Sequence, residues 1–477
     1  MKIALLVALI AFTIWRIITQ QQQQQQQEPH TMHQPVVVVG TGLAGLTSTY
    51  NLLQRQIPVI LIEKTDKFGG NSMKASSGIN GAYTSTQERL GINDTVESFL
   101  SDTSKSGGKL GNTTLQRALV NDSKRAITWL QEDIGVPLDV VNRLGGHSNS
   151  RTHRSEGIPP GFEIISKLKK KVEAIPHLDV RLKSKLIGID VVNHDVKGVE
   201  YIDLDTGKNV KVETENVIMA TGGFGFSKEL LKKYKPEFVH LPTTNGEQTL
   251  GEGQVLLENV GAELIDMDQV QIHPTGFIKQ DDRDNNWKFL AAESLRGVGG
   301  VLLNENLDRF VNELTTRDKV SQAILSQEGT KAYLVLNEDM YNEFKFQIDF
   351  YMKMNLIKKT TLAERFSEKA QHAVEVLTEY SSTDAHAHPR DHKAHVFKGV
   401  DKNTTLYIGE VTPVVHFTMG GVKINENGQV MSKGGQVVKG LYAAGEVSGG
   451  VHGQNRLGGN SLLECVVFGK RAADDIK

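Results

Sequence analysis

The sequence predicts an α/β fold in which a Rossmann-like nucleotide-binding domain is interrupted by an inserted α+β domain. Three observations predict it. Near the start of the chain an apolar strand runs directly into a glycine-rich turn and a helix, and near the end a second apolar strand closes on a glycine and a glutamate. Between them, from about residue 267 to residue 416, the sequence becomes rich in aromatic and charged side chains.

The first motif has the order of a dinucleotide-binding unit. Val36–Val39 is an apolar strand, Gly40-Thr-Gly-Leu-Ala-Gly45 opens a helix that reaches about Arg55, and a second apolar strand ends at Glu63. Glycines allow a tight turn and a close approach of a pyrophosphate to the helix N-terminus, and the acid accepts from ribose hydroxyls. The motif therefore predicts a bound dinucleotide.

Later segments extend this domain on both sides of the insertion. A small-residue loop from Phe68 to Gly81 offers backbone amides to a cofactor. Helical patterns cover about 113–134, 161–174 and 360–380, and strands fill about 179–220, ending in Ala-Thr-Gly-Gly. Gly440 to Val447 repeats the strand, glycine and acid pattern with Glu446, and Asn460 to Lys470 predicts a closing helix.

Composition excludes several classes of protein. The chain has 477 residues, a net charge of −2 and 46 glycines, which favours a cofactor protein and gives no sign of a nucleic-acid partner. Its single cysteine, Cys465, excludes disulfides, cysteine-ligated iron–sulfur clusters and Cys-x-x-Cys-His haem attachment within the chain. Electrons must therefore enter through an organic cofactor, and Cys465 is interpreted as a buried helical residue.

A set of cationic and imidazole side chains predicts an anion site. A small dicarboxylate needs donors at both ends, which the planar fork of Arg and the directed N–H of His provide. The candidate donors sit in glycine-marked strings and are His273, Arg296, Arg317, His416 and Arg456, and the acid Glu293 lies in the same string as Arg296. His273 and His416 fall at the two seams of the insertion, so a site between the domains is expected.

The N-terminal segment, residues 1–33, predicts targeting and tethering. Lys2 precedes an apolar run that Arg16 interrupts, and a tract from Gln20 to Gln27 follows. We favour an uncleaved signal anchor that places the protein in the endoplasmic reticulum; a cleaved signal and a mitochondrial presequence are the alternatives. The glutamine tract is expected to be a disordered tether. Four glycosylation sequons would then meet the luminal machinery, at Asn93, Asn112, Asn121 and Asn403.

A histidine-rich stretch invites a metal-site interpretation. His386, His388, His392 and His395 have metal-like spacing, but the neighbouring Pro389 and aspartates favour an exposed loop. We therefore expect no metal.

Six strings together resemble one flavoenzyme family. They are Gly145-Gly-His-Ser148 with Arg151-Thr-His-Arg154, Gln271 to Gly276, Phe289 to Gly297, Arg309 to Asp318, Val411 to Gly421 and His452 to Gly459. From about Pro35 to its end the chain resembles the soluble fungal fumarate reductases and, more distantly, the flavin subunits of bacterial fumarate reductases and succinate dehydrogenases. The resemblance implies a Rossmann-like FAD-binding domain at 34–266 and 417–477, interrupted by an inserted α+β capping (clamp) domain at 267–416.

The resemblance also implies an activity, the reduction of fumarate to succinate with hydride from N5 of reduced FAD and a proton from Arg317. Glu293 and Arg296 would complete the proton relay, and His273, His416, Arg456 and Gly459 would bind the substrate. Free reduced FAD or FMN would supply electrons, so that the enzyme helps to reoxidise flavin under low oxygen. The motifs and the resemblance together give these cofactor contacts: Gly40, Gly42, Ala44, Gly45, Glu63, Lys64, Gly70, Asn71, Ser72, Ser76, Ser77, Gly78, Thr221, Gly222, Glu252, Gly445, Glu446, Ser461 and Leu462.

Two departures from the family matter. A bacterial relative has Thr before the relay glutamate, where this chain has Ala292, so a hydroxyl contact to substrate is lost. Relatives with covalent flavin carry a histidine after the early glycine loop, whereas Asn71-Ser72-Met73 has none, which implies non-covalent FAD.

Two other functions stay open at this stage. One is a flavin dehydrogenase of another small ketone or a steroid, which would use a Tyr acid in an apolar pocket. The other is a flavin carrier without turnover of its own.

Overall fold

The computed structural model describes residues 34–382 and 395–477. The targeting segment, the glutamine tract and His386, His388 and His392 lie outside the described residues. Within the described part, no helix is both long enough and apolar enough to span a bilayer.

Twenty strands are found in the described residues. They are β1 (Val36–Val39), β2 (Val59–Ile62), β3 (Ile79–Asn80), β4 (Val140–Asn142), β5 (Thr152–Arg154), β6 (Leu178–Arg181), β7 (Ser184–Val192), β8 (Asp195–Asp203), β9 (Asn209–Glu213), β10 (Val217–Met219), β11 (Leu264–Ile265), β12 (Val270–Phe277), β13 (Val301–Leu303), β14 (Ala332–Leu336), β15 (Lys358–Thr360), β16 (Leu406–Thr418), β17 (Gly421–Lys423), β18 (Gln429–Met431), β19 (Val437–Ala443) and β20 (Ser448–Gly449).

Fifteen α-helices accompany them in the same residues. They are α1 (Leu43–Gln54), α2 (Ser85–Arg89), α3 (Val96–Gly107), α4 (Thr113–Asn121), α5 (Ser123–Trp129), α6 (Pro160–Glu173), α7 (Lys228–Tyr234), α8 (Glu252–Asn259), α9 (Glu293–Gly297), α10 (Arg317–Leu325), α11 (Glu338–Glu343), α12 (Lys345–Lys353), α13 (Leu362–Phe366), α14 (Ala370–Ser381) and α15 (Asn460–Asp475).

The main sheet has nine strands in the order β6-β2-β1-β10-β19-β8-β7, with β18 beside β19 and β9 beside β8. The five strands from β6 to β19 in this order run parallel. β1 and β2 are apolar and buried at every position, as expected for parallel strands covered on both faces. The predicted α/β fold is confirmed.

The parallel strands place the cofactor motifs at one edge of the sheet. Gly40 follows β1, Glu63 follows β2, Thr221 lies just beyond β10 and Glu446 lies just beyond β19. Ligands of open α/β sheets bind in the crevice at the carboxyl ends of the strands. The fold therefore gathers motifs that are about 400 residues apart in sequence.

A second, antiparallel sheet is built from the middle of the chain. It has the order β12-β16-β14-β13, with β15 also paired to β16. A separate apolar core packs on it, formed by residues between Phe277 and Val411. Strands before this segment, among them β1, β2 and β10, and two strands after it, β18 and β19, share the nine-stranded sheet. The domain boundaries at 266/267 and 416/417 stay a prediction.

Element boundaries differ from the sequence predictions at two places. The helical pattern over 113–134 is divided into α4, α5 and a π-helical turn at Leu130–Ile134, which ends at Gly135 in a left-handed conformation. The closing helix α15 runs to Asp475, five residues beyond Lys470, because Ala472 and Ala473 in its last turn are buried in the core.

Candidate active site

The turn between β1 and α1 forms the first wall of a cavity. A Cβ on Gly45 would lie 1.9 Å from the carbonyl oxygen of Gly40, so only glycine allows this turn. Helix α1 has Gly42 as its N-cap, without a side-chain cap and without an acid in its first turn. The amides at this helix end therefore favour an anion such as a pyrophosphate.

The cavity has a volume of about 560 Å³ and is lined by residues from both sheets. Every predicted cofactor contact except Gly45 lies on its lining; Gly45 packs behind it, against Gly40. Of the predicted catalytic and substrate residues, Arg317, His416, Arg456 and Gly459 lie on the same lining, whereas His273, Glu293 and Arg296 do not. The structure thus joins the nucleotide cradle and the cationic cluster in one space.

The lining fits an FAD molecule. Ser76 Oγ and Thr221 Oγ1 are buried and have no partner among the described residues, so each can serve a ligand. Glu63 accepts from the N–H and the hydroxyl of Thr41, at 3.0 and 2.7 Å, which fixes its carboxylate beside the turn. Helix α15 also begins at the cavity without a side-chain cap, at Gly459, which has φ +82° and where an added Cβ would lie 2.2 Å from Asn80 Oδ1.

Several cavity residues were missed by the sequence analysis. The side-chain N–H₂ of Asn71 donates to Asn245 Oδ1 (2.8 Å) and to Thr249 Oγ1 (3.0 Å), and both partners lie on the lining. Lys185 also lines the cavity and pairs with Glu252 at 2.8 Å. These positions carry no local motif, since their role depends on contacts across more than 60 residues of sequence.

Arg317 begins helix α10 and is 6% exposed. Its Nε donates to Glu293 Oε2 (2.7 Å), and its Nη1 donates to Gln271 Oε1 (2.9 Å). Gln271 in turn donates to the backbone carbonyl of Arg456 (2.7 Å). One buried amide therefore links the two cavity arginines, a role that the Gln-Ile-His-Pro-Thr string did not reveal.

Glu293 is fully buried, and both of its oxygens have partners. Oε1 accepts from the backbone N–H of Gly145 (3.0 Å), and Arg296 Nη2 lies 3.9 Å from the same oxygen. Burial raises the carboxyl pKa, but the charges of Arg317 and Arg296 outweigh it and lower the pKa of Glu293 to about 2. Glu293 is therefore an anion at neutral pH, held between two guanidinium groups.

Arg296 is also fully buried, in helix α9. Its Nη1 donates to the carbonyl of Glu313 (2.6 Å), while Nε and Nη2 have no hydrogen-bond partner among the described residues. Burial lowers the pKa of Arg296. Arg317, Glu293 and Arg296 thus form a buried row that starts at the cavity wall, while their relay role stays a prediction.

Arg456 faces the cavity with a desolvated guanidinium. It is 3% exposed, its Cζ lies 4.2 Å from the ring centroid of Phe417, and its Nε has no partner among the described residues. Burial lowers the pKa of Arg456 to about 9, and the nearby charge of Arg317 acts in the same direction. An anion in the cavity would satisfy this group.

The two predicted histidines lie together on paired strands. Their ring centroids are 5.1 Å apart, and burial together with Arg317 and other charges lowers both pKa values well below 6.5, so both rings are neutral at pH 7. His416 Nδ1 is 2.7 Å from Thr244 Oγ1, another residue that the sequence analysis missed. A neutral ring that accepts at Nδ1 donates at Nε2.

His273 is farther from the cavity than predicted. It is fully buried, its Nδ1 accepts from the N–H of Thr275 (3.2 Å), and its Nε2 has no partner among the described residues. A buried N–H without a partner fits a group that serves a substrate, but its contact with substrate stays a prediction.

The structure also locates Cys465 and His395, two residues that the sequence analysis singled out. Cys465 lies in α15, is partly buried and lines the cavity, and burial raises the pKa of its thiol. His395 is 2.8 Å from Glu343 Oε2, and the other three histidines of its stretch lie outside the described residues.

Comparisons with known proteins agree with this architecture. Residues 35–462 match a family described as an FAD binding domain. The chain is 52% identical to "Fumarate reductase 1" of Saccharomyces cerevisiae over 93% of this chain and 98% of that protein. It is 39% identical to "Fumarate reductase" of Schizosaccharomyces pombe over 91% of this chain and 88% of that protein.

A solved structure extends the likeness to three dimensions. The open conformation of a flavocytochrome c3 fumarate reductase is 33% identical and superposes with a TM-score of 0.75, covering 96% of this chain and 80% of that chain. The chain therefore belongs to the FAD-binding flavoprotein family of the fungal fumarate reductases.

Proposed function

We propose that the protein is an FAD-dependent enzyme that reduces fumarate to succinate. The observation that carries this proposal is that two buried arginines, Arg317 and Arg456, and the neutral His416 lie on the lining of the cavity that also holds the predicted cofactor contacts. Such a cluster suits a small dianion better than a neutral ligand. FAD, when bound and reduced, would supply a hydride from N5.

The proposed substrate site, formed by Arg317, Arg456 and His416, would stabilise charge as well as bind substrate. Arg456 would pair with one carboxylate, since its Nε lacks a partner, and the Nε2–H of His416 would donate to a carboxylate oxygen. Equal stabilisation of substrate and product would not raise the rate. The rate gain must therefore come from cations placed to stabilise the carbanion as it develops on the carbon that is protonated.

Arg317 is the proposed proton donor. It is the cavity-lining member of the buried chain Arg317, Glu293, Arg296, and Glu293 is held ionised between the two guanidinium groups. Arginine gives up a proton only to a strong base, which a carbanion is. Glu293, ionised and hydrogen-bonded to Arg317 Nε, would carry a proton from Arg296 to Arg317, and Arg296 would regain its proton from solvent.

The finer features of the function are proposals of the same kind. FAD would be held without a covalent bond, because no histidine occurs at Asn71-Ser72-Met73. Free reduced FMN or FAD would be the electron donor, since the chain's single cysteine provides no cluster. The N-terminal segment would anchor the protein in the membrane of the endoplasmic reticulum, with the mitochondrion as the alternative.

A steroid or ketone dehydrogenase with a Tyr acid is the alternative enzyme. Tyr351 lies on the cavity lining, but its hydroxyl already donates to the carbonyl of Leu290 (2.9 Å) and accepts from the N–H of Ala292 (3.3 Å). Burial raises the pKa of Tyr351 to about 12. A phenol engaged in this way supports the backbone before Glu293 and is a poor acid for a substrate.

Anaerobic turnover tests the function. The FAD-loaded protein is expected to oxidise reduced methyl viologen or reduced FMN only when fumarate is added, with succinate as the product. Succinate oxidation by a simple acceptor should be slow. Lack of fumarate-dependent oxidation with either donor would reject the function and favour a flavin carrier, and turnover of a ketosteroid would favour the dehydrogenase.

A further inference from the structure

The segment Gly145-Gly146-His147, which we call the GGH loop, lies between β4 and β5 and contacts the proposed proton relay. The backbone N–H of Gly145 donates to Glu293 Oε1 (3.0 Å). A Cβ on Gly145 would lie 2.6 Å from the carbonyl oxygen of Thr315 and 3.0 Å from the same carboxylate oxygen. The GGH loop therefore packs on the acid of the relay and on the backbone that leads into Arg317.

Gly458 contacts the same ion pair at its other carboxylate oxygen. An added Cβ on Gly458 would lie 2.9 Å from Glu293 Oε2 and 3.3 Å from Arg317 Nη2. In a close-packed interior such contacts leave no room for a side chain unless the ion pair moves. Gly458 belongs to the turn from Arg456 to Gly459, which carries the proposed substrate-binding arginine and leads into α15. The position of this turn and the position of the relay are therefore linked.

His147 connects the GGH loop to this turn. Its Nε2 lies 3.0 Å from the carbonyl oxygen of Gly458, which also accepts from Asn80 Nδ2 (2.7 Å). His147 is buried, and its Nδ1 has no partner among the described residues. Burial and the charge of Arg151 lower the pKa of His147 to about 3, so the ring is neutral at pH 7. A neutral ring that faces a carbonyl oxygen with Nε2 carries its proton there.

Two donors fix the Gly458 carbonyl more firmly than one. A carbonyl oxygen has two lone pairs, and two donors reach this one. With the Asn80 bond alone, the peptide between Gly458 and Gly459 would be free to turn about that bond. Because Gly458 lies against Glu293 and Arg317, turning this peptide would displace the ion pair.

We propose that His147 is a positioning residue for proton delivery: it holds the Gly458 carbonyl and thereby keeps the turn packed against Glu293 and Arg317. The inference rests on the proposed function, because the relay is part of it. His147 is not on the cavity lining, so its effect reaches the reaction only through the turn and the relay. Displacing a reacting group by about 1 Å can lower a rate on the order of a hundredfold.

Two substitutions at His147 separate the hydrogen bond from the ring shape. Phenylalanine keeps a planar ring without a donor, whereas glutamine keeps an N–H that can donate to a carbonyl. In His147→Phe, kcat for fumarate should fall by roughly ten- to a hundredfold, while the KM for fumarate should change by less than about threefold. His147→Gln should restore kcat to within about threefold of the unchanged enzyme.

The solvent deuterium isotope effect on kcat separates positioning from simple loss of stability. In His147→Phe it should increase, because proton delivery becomes slower than the other steps, and in His147→Gln it should return to the original value. A protein that is only less stable contains less active enzyme and keeps the original isotope effect. His240→Phe, at an exposed position off the cavity lining, is the matched control.

Two readouts do not need turnover. Hydrogen exchange of the backbone amides from Leu457 to Leu462 should be at least about threefold faster in His147→Phe than in the unchanged protein or His147→Gln. In protein labelled with ¹⁵N-histidine, the His147 ring is the resonance that is missing from His147→Gln. It should carry its proton on Nε2 and stay neutral at about pH 6, well above its pKa of about 3.

Each outcome supports or refutes the role. If the unchanged enzyme reduces fumarate and His147→Phe keeps its kcat and isotope effect, the role is refuted; equal losses in both variants with an unchanged isotope effect refute it as well. A His147 ring that is charged at pH 7 or protonated on Nδ1 alone refutes the bond to Gly458 with or without turnover. If the unchanged protein does not reduce fumarate with reduced methyl viologen, the proposed function and its relay fall, while amide exchange still decides whether His147 holds the turn. If His147→Phe does not retain FAD, Gly458→Ala decides, and an unchanged kcat and isotope effect there would refute the link between turn and relay.

Discussion

Replacing Arg456 by methionine is the sharpest test of the proposed substrate-binding site. Methionine keeps an apolar stem that packs on Phe417 and removes the guanidinium. Arg456 is 3% exposed, and its Nε has no partner among the described residues, so the charge is held in the protein without full compensation. A dianion entering the cavity would supply the missing partner.

The magnitude follows from the pKa of Arg456. A change from 12.5 to about 9 corresponds to about 5 kcal/mol by which the unliganded site disfavours the charged form. Part of this is recovered when an anion binds, and breaking such a buried pair typically costs about 2–4 kcal/mol in binding. The KM for fumarate should therefore rise by roughly 30- to 800-fold in Arg456→Met.

The pH dependence of the reaction tests the charge of Arg456. A guanidinium with a pKa of about 9 is charged below that pH and neutral above it. In the unchanged enzyme, kcat/KM for fumarate should be flat near pH 8 and fall about tenfold per pH unit above pH 9, because kcat/KM reports the free enzyme. In Arg456→Met, kcat/KM for fumarate should be lower at pH 8 and should not fall further above pH 9.

The assay is anaerobic oxidation of reduced methyl viologen at several fumarate concentrations. Arg89→Met is the control, since Arg89 is an exposed arginine paired with Asp139 away from the cavity. The reasoning is refuted if Arg456→Met keeps a KM within about threefold of the original value, which is under 1 kcal/mol. A kcat/KM profile of the unchanged enzyme without a limb near pH 9 would refute the charge argument separately.

Four further predictions concern the active site, its cofactor and the compartment. Arg317→Ala should still bind FAD and fumarate, which flavin absorbance and difference spectra would show. It should keep less than about one per cent of the turnover rate, because the proton donor is lost. Higher activity would exclude Arg317 as the proton donor. Gly45→Ala should weaken FAD binding at least about tenfold, because the added Cβ would lie 1.9 Å from a backbone carbonyl oxygen. The control Gly188→Ala, where the nearest atom to the added Cβ is 3.8 Å away, should keep full flavin absorbance. Equal flavin content in both variants would contradict this. Acid precipitation should release all flavin into the supernatant, and fluorescence that stays with the denatured chain on a gel would show a covalent bond. If the luminal proposal holds, endoglycosidase treatment of the native protein should increase its gel mobility, because the four sequon residues Asn93, Asn112, Asn121 and Asn403 are exposed. No shift, together with co-purification with mitochondria, would contradict it.

The sequence by itself determined which residues form the cofactor-binding part of the cavity. Glycine, strand and acid motifs specify local backbone geometry, and parallel strands bring their carboxyl ends to one edge. Each predicted cofactor contact but Gly45 consequently lies on the cavity lining, although Gly445 and Glu446 are far in sequence from Gly40. The fold class and the family could be predicted for the same reason: they depend on order and spacing along the chain.

Only the tertiary structure decided the state of the anion site. The partners of its side chains come from remote segments: Gly145 for Glu293, Thr244 for His416, and Gln271 for Arg317. Burial and neighbouring charges set the pKa values, and neither is a local property of sequence.

The same reason explains the two features that sequence motifs did not show. The full burial of His273 depends on how β12 and β16 pair, and packing between distant elements brings the exposed side chains of Phe346 and Phe350 onto the cavity lining. A pattern along the chain indicates which side chains share a strand or helix face, but packing between distant elements determines which of them line a cavity.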